Sequence, residues 1–343
     1  MRILLIKMSS MGDVFHTFPA LTDAMKNIPD LKVDWIVEKT FSEIPAWHPV
    51  VDHVFSIELR KWRRHPFRFR KEIQQFFQQV NQNDYDLILD AQGLLKSAWV
   101  GRKIHGPVAG LDWRSARESL ASLFYDQKFF VEKHLHAIER LRRLFAQALG
   151  YEASSSSPEY HLDTASWRPL QALTEGTSYY VFLHGTTWQT KFWPESCWHD
   201  LAVSLAQQGK QIVLPWGTAE ERSRALRIQT EVTKVLPESR SLIRVPDQKL
   251  SLNEMARLLK FAEGVVSVDT GLSHVAAALE VPMVVLYRVT DPKKIGALGC
   301  NVRFLVSPVA HLYLKRFRSG KEEELSMQGL SANDVLDVIK GFK

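Results

Sequence analysis

Apolar positions in this chain follow two alternating rhythms from one end to the other. Short runs such as ILLI at 3–6 read as buried strands, and the stretches between them space apolar residues three and four apart, as helices do. After ILLI, residues 7–13 form a turn, and Phe15, Phe18, Leu21, Ala24, Met25 and Ile28 then share one helical face. In the first half the pattern predicts strands at 2–6, 33–37, 53–57, 86–90 and 107–111, and helices at 15–28, 67–82, 94–104 and 134–149. In the second half it predicts strands at 179–184, 211–215, 264–268 and 283–287, and helices at 196–208, 219–231, 251–262 and 273–280.

Short apolar strands that alternate with helices imply parallel sheets joined by right-handed crossovers. The Ser-rich segment ASSSSPEY at 153–160 reads as a linker. The expected architecture is therefore α/β: two Rossmann-like domains, 1–160 and 161–328, facing a cleft, with a final helix in 329–343 behind Ser331. Ligands in such sheets sit at the carboxyl ends of the strands.

Two strand ends carry the chemistry. In VVSVDTGLSHVAAAL (265–279) a β-branched run stops at Asp269, Thr270 and Gly271 turn the chain, and an Ala-rich helix follows. The free N–H groups and dipole of that helix start form an anion site, with Asp269 and His274 placed to touch a phosphate-bearing ligand. Alone, His274 reads as a packed helix residue and Asp269 as a cap; their combination with Thr187 and Lys191 favours a site. Strand 179–184 runs into HGTTWQTKFWP, where Thr186, Thr187 and Lys191 supply two hydroxyls and a cation suited to a diphosphate. After QIVLPWG, Glu220 and Glu221 either hold sugar hydroxyls or serve as first-turn helix acids, and spacing leaves both open. Trp193, Trp198 and Trp216 read as core. The first turn has a single glycine, Gly12, so the dinucleotide fingerprint is missing; Asp13 there sits where a helix start favours the ionised carboxylate.

Composition adds one feature. The 343 residues are 45% hydrophobic and 24% charged, ordinary for a globular protein, but the net charge of +6 is unevenly placed. Residues 60–71 (RKWRRHPFRFRK) hold seven Lys/Arg and no acid, with Trp62, Phe67 and Phe69 among them. That mixture suggests an amphipathic docking surface for phosphate groups or a membrane. No helix-turn-helix, zinc-finger or RNA-binding signature accompanies it, so nucleic acid is not the expected partner. No apolar run approaches the roughly 20 residues that span a bilayer, and the N-terminus reads as a core strand rather than a signal peptide. Cys197 and Cys300 lack metal or redox spacing, His134 and His136 are poorly spaced for a metal, and HExxH and CxxC are absent. A reduced, cytoplasmic setting without bound metal or cofactor is expected.

With these motifs in hand, the chain resembles the ADP-heptose:lipopolysaccharide heptosyltransferases. The resemblance is carried by KMSSMGDVFHTFPAL (7–21), ELRKWRR (58–64), DAQGLLKSA (90–98), FLHGTTWQTKFWP (182–194), LPWG (214–217) and SVDTGLSHVAAAL (267–279). It implies the GT-B fold and metal-independent, inverting transfer of heptose from ADP-heptose to the Kdo of Kdo–lipid A. The first domain would bind acceptor and the second donor. Asp13 would be the catalytic base. Thr186, Thr187, Lys191, Thr270 and Gly271 would hold the diphosphate, Asp269 and His274 the heptose, Glu221 the ribose and Leu250 the adenine. Arg60, Lys61, Arg63, Arg64 and Arg117 would meet the anionic acceptor. The resemblance places the protein on the cytoplasmic face of the inner membrane, against its anionic surface. Two departures stand out: Arg288-Val289 replaces the family's Gly-Pro, which would set a bulky cation near the donor, and a shortened turn leaves Glu220 and Glu221 competing for one role. A nucleotide-sugar epimerase, another GT-B transferase or a basic binding module are the alternatives.

Overall fold

The computed structural model describes residues 1–174 and 176–342, and the chain divides into two compact units, Met1–Thr164 and Ala165–Lys343. The first is built on β1 (Arg2–Ile6), β2 (Lys32–Glu38), β3 (Val51–Ile57), β4 (Leu87–Asp90), β5 (Val108–Leu111) and β6 (Gln127–Phe129). These form one parallel sheet in the order β3-β2-β1-β4-β5-β6. The second unit has β7 (Tyr179–Leu183), β8 (Gln211–Val213), β9 (Ile243–Arg244), β10 (Gly264–Val268), β11 (Met283–Tyr287) and β12 (Val302–Val306). They pair in parallel in the order β12-β11-β10-β7-β8-β9.

In each unit the chain winds outward on one side of the first strand, then restarts on its other side with the fourth. The switch points are therefore β1/β4 and β7/β10, and a doubly wound sheet opens its ligand crevice there. The turns after these four strands include residues 7–10, 91–94, 184–188 and 269–270.

All nine predicted strands exist. The three that the pattern missed are edges: β6 and β12 are largely solvent-facing and β9 is two residues long, so none makes a continuous apolar run. The predicted helix 15–28 is two pieces, Met11–Phe15 and Phe18–Asn27, with Pro19 in the first turn of the second, where its missing N–H costs nothing. The final helix Ala332–Lys340 buries Val335 and Ile339, together with Leu330, in the second unit's core, and Trp193 Nε1 donates to Leu330 O at 2.6 Å.

The Ser-rich segment is anchored to the first unit. Buried Arg142 donates to Asp23 (2.6 Å) and to Ser156 O (2.7 Å), joining the helices Phe18–Asn27 and Ala137–Leu149 to residues 153–160. Arg142→Ala would strand the Asp23 carboxylate in the interior, so urea unfolding should show a loss of about 3–5 kcal/mol. The double variant Asp23→Leu/Arg142→Met should recover much of it, because no unpaired charge is left.

Candidate functional site

At the β1/β4 switch point the backbone goes on pairing with β2 past Ile6, with Lys7 N donating to Ile36 O (3.3 Å) and Glu38 N to Met8 O (3.1 Å). Trp35 Nε1 donates to Lys7 O (3.0 Å), and Gln92 Oε1 accepts from the amides of Met8 (3.0 Å) and Ser9 (3.2 Å). Gln92 is itself fixed by Asp90, whose carboxylate accepts from the amides of Gln92 (2.9 Å) and Gly93 (3.2 Å) and from the Tyr125 hydroxyl (2.7 Å). Tyr125 lies across Gly110, where a β-carbon would stand 2.5 Å from the ring. The loop after β4 thus holds the loop after β1.

Asp13 occupies the third position of the helix Met11–Phe15 and accepts from Ser10 N (2.9 Å) and Ser10 Oγ (3.0 Å). Burial acts to raise its carboxyl, but the Lys7 ammonium, the two Ser10 hydrogen bonds and the Arg117 charge outweigh it and hold the group below the ordinary carboxylate value. Lys7 is buried and donates to Ala91 O at 2.9 Å. Burial lowers its own ammonium, against the opposing pull of Asp13 and Asp90. Lys7 is expected from the sequence only as part of a turn; the signal that marks it is a cation following four apolar residues at a strand end. Arg117 is exposed, begins beside Gly93, and its charge reaches both Lys7 and Asp13.

The basic run is a short helix, Leu59–Arg64, followed by a turn into Arg70–Val80. Trp62 is core: its ring packs edge-on to Phe76, and Nε1 donates to Glu72 at 2.8 Å. Phe69 is half-buried beneath Lys61, so of the three aromatics Phe67 alone is free, at 93% exposure. Lys61 differs from expectation as well. It is paired with Glu58 (3.0 Å) and Glu72 (3.4 Å), which spends its charge internally. Arg60, Arg63 and Arg64 are exposed, with no ion pair among the described residues.

At the β7/β10 switch point, Thr186 Oγ1 donates to Asp269 O (2.9 Å), and Lys191 Nζ lies 2.6 Å from Asp269 Oδ2. Thr290 donates its hydroxyl to the same carboxylate oxygen. Asp269 is thus a partner of Lys191, and Thr270, not Asp269, is the N-cap of the helix Gly271–Ala278. His274 is buried within that helix, and Thr187 is exposed. Glu221 accepts from Gly217 N (2.6 Å) and Thr218 N (3.2 Å), closing a capping box on the helix Ala219–Val235. A β-carbon at Gly185 would meet Glu221 Oε1 at 2.3 Å, so this carboxylate faces the β7 turn while Glu220 stays exposed. Leu250 is half-buried just before the helix Leu252–Lys260.

Two expectations change here. Arg288 is buried rather than set into the ligand space: it donates to Ser326 Oγ (2.6 Å) and to Phe192 O, with Phe317 under its guanidinium. It ties the loop carrying Lys191 to the chain after β12. Trp193 and Trp198 are core, but Trp216 is partly exposed and holds the loop at Pro246 through Nε1 (2.7 Å).

One group among the described residues has metal-ligand spacing: Asp34, Asp52 and His53, at the opposite ends of the strands from Asp13. Arg2 occupies both carboxylates (2.8 and 2.5 Å), and Asp34 also accepts from Tyr85 (2.9 Å), so the group is an ion-paired network. His136 caps the helix Ala137–Leu149, accepting from Ile138 N at 3.2 Å.

Residues 73–324 match the model for glycosyltransferase family 9 (heptosyltransferase). The chain belongs to this family. It is 48% identical to lipopolysaccharide heptosyltransferase 1 of Pseudomonas aeruginosa over 304 residues, 87% of this chain and 82% of that protein. It is 44% identical to the protein of that name from Escherichia coli K12 over 91% of this chain and 95% of that one. Among solved structures it matches E. coli heptosyltransferase WaaC with ADP at a TM-score of 0.86 and 41% identity, covering 100% of both chains. The likeness shows a GT-B fold of two Rossmann-like units for this family 9 member.

In this family 9 member, the Lys7 charge is the first of the influences that lower the Asp13 pKa. Replacing Lys7 with Met should raise the Asp13 pKa, read by carbon NMR of aspartate-labelled protein. The sign follows from the cause: a neighbouring cation favours the carboxylate, and its removal leaves burial to favour the acid.

Proposed function

We propose that this chain transfers L-glycero-D-manno-heptose from ADP-heptose to the Kdo of Kdo–lipid A in lipopolysaccharide core synthesis. The observation that carries the reading is the pairing of two kinds of switch point in one chain. One presents a carboxylate held ionised beside cations. The other presents hydroxyls, an ammonium and a helix start, a set made for a nucleotide diphosphate. The curated relatives named above are lipopolysaccharide heptosyltransferases, and WaaC structures hold ADP and ADP-2-deoxy-2-fluoro heptose.

In this reading Thr186, Thr187, Lys191, Thr270 and Gly271 hold the diphosphate, Asp269 and His274 the heptose, Glu221 the ribose through its inward oxygen, and Leu250 the adenine. The acceptor hydroxyl attacks the anomeric carbon from the side opposite the diphosphate. Its proton passes to Asp13, the anomeric C–O bond breaks, and ADP leaves with the electron pair. Lys191 and the N–H groups at Gly271 stabilise the charge that develops on the leaving group. Asp13→Ala should lower turnover by about 10²–10⁴ with ADP affinity little changed. Lys191→Ala should weaken ADP binding instead, and EDTA should leave wild-type transfer intact. An ADP affinity lost in Asp13→Ala would make Asp13 a binding residue.

Arg60, Arg63, Arg64 and Arg117 then meet the anionic sugars and phosphates of the acceptor. The same layer suits peripheral contact with the anionic cytoplasmic face of the inner membrane. The helices Leu59–Arg64, Arg70–Val80 and Leu95–Gly101 and the turn Ser119–Phe124 share one core against the sheet. Six of the nine large apolar side chains that the first unit leaves exposed lie on this layer: Phe67, Leu95, Trp99, Leu120, Leu123 and Phe124. No described helix is long and apolar enough to cross a membrane. Basic residues near an anionic surface contribute about 1 kcal/mol each. Co-sedimentation with phosphatidylglycerol vesicles should therefore fall with added salt, and Phe67→Glu/Leu123→Glu should reduce it further. Lys61→Ala should change it less than Arg63→Ala, since Lys61 is already paired.

A further inference from the structure

The donor switch point holds two cations, and both are opposed by carboxylates: Arg224 donates to His184 O (3.1 Å) in the turn after β7 but lies 3.7 Å from Glu195. Lys191 is its obvious cation, yet Lys191 is neutralised by Asp269 at 2.6 Å. Glu221 brings a further carboxylate to the same strand ends. The helix start at Gly271 offers a fractional charge of roughly +0.5. A nucleoside diphosphate carries more negative charge than this set balances, and more collects on it as it leaves.

A further cation stands at the Trp188 ring. Lys191 Nζ lies 4.7 Å from the centroid of that ring, and Lys315 Nζ lies 5.7 Å from the same centroid. Both distances fall within the range in which an ammonium is attracted to an aromatic face. Lys315 is exposed and has no ion pair among the described residues. The backbone that carries it is nonetheless anchored. Thr190, one residue before Lys191, donates its hydroxyl to Leu314 O at 2.6 Å, so the backbone before Lys315 is bonded to the donor loop. Two residues further on, Phe317 lies under the Arg288 guanidinium, which donates to Phe192 O in that loop. Tyr313 turns the chain in the left-handed region (φ 50°), and its phenol feels the charges of Asp291 and Asp269. The segment 313–317 is therefore strapped along residues 190–192, with one unpaired ammonium at the shared tryptophan.

We propose that Lys315 is a further phosphate-binding cation of the donor site, gripping the diphosphate together with Lys191 beside Trp188. The inference rests on the donor being a nucleoside diphosphate sugar.

Calorimetric titration of the full chain with ADP, and in parallel with adenosine, tests it. Lys315→Gln should weaken ADP about tenfold at low salt, the scale of a charge-assisted contact, with adenosine binding unchanged. Lys315→Arg should restore most of the ADP affinity. Lys321→Gln, a cation of the neighbouring helix Gly320–Leu325, should leave it at the wild-type value. An ADP affinity in Lys315→Gln within about twofold of wild type would overturn the inference. So would parallel losses for ADP and adenosine, which mark a structural role. A wild-type chain that binds no ADP would overturn the donor reading itself, and this inference with it.

Discussion

A parallel sheet covered on both faces leaves its chemistry nowhere to go but the strand ends. β1, β4, β7, β10 and β11 are almost wholly buried along their length, so polar groups needed for ligands collect in the turns that follow. The strand order then selects among those turns. Where winding changes direction, two turns separate and leave a crevice, and this happens between β1 and β4 and again between β7 and β10. Asp13, Lys7 and Gln92 answer to the first crevice, and Thr186, Lys191 and Asp269 to the second.

Each crevice is organised around one buried or half-buried lysine opposed by nearby carboxylates. In the first unit, the ammonium of Lys7 is taken out of water at a cost, which its carbonyl partner Ala91 and the nearby carboxylates offset only in part. Its charge, with the Ser10 hydrogen bonds and Arg117, lowers the Asp13 pKa although burial acts to raise it. In the second unit, Lys191 and Asp269 hold each other at 2.6 Å, which keeps the loop in place before any ligand arrives. The hydroxyls of Thr186 and Thr290 bracket the same aspartate, so its backbone and side chain are both fixed.

The strands and switch-point turns were legible because they leave strong local marks. An apolar run that ends in Asp-Thr-Gly or His-Gly-Thr-Thr announces a strand end whatever the surroundings. The edges β6, β9 and β12 were not legible, since an edge strand needs no continuous apolar pattern and is defined by its neighbour across the ladder. Site residues followed the same division. Asp13, Lys191 and Asp269 sit in the turns that the pattern marks. Thr290 and the pairing of Lys61 with Glu58 and Glu72 depend on contacts between segments, which no local spacing records. The aromatics of the basic run show the limit plainly: composition suggested three surface rings, while packing against Phe76 and Lys61 removes Trp62 and Phe69 from the surface.

Arg288 makes the donor loop a product of its own history. Its guanidinium satisfies Phe192 O and the Ser326 hydroxyl at once, in a place where neither reaches water freely. A chain with glycine at this position needs different partners for both groups. Replacing Arg288 with glycine here would not restore such a chain; it would leave a void, an orphaned carbonyl and an unanchored segment after β12. The residue is entrenched: its exchange becomes acceptable only if Phe192, Ser326 and Phe317 change with it, so variation at these four positions should travel through descendants of this protein as a set.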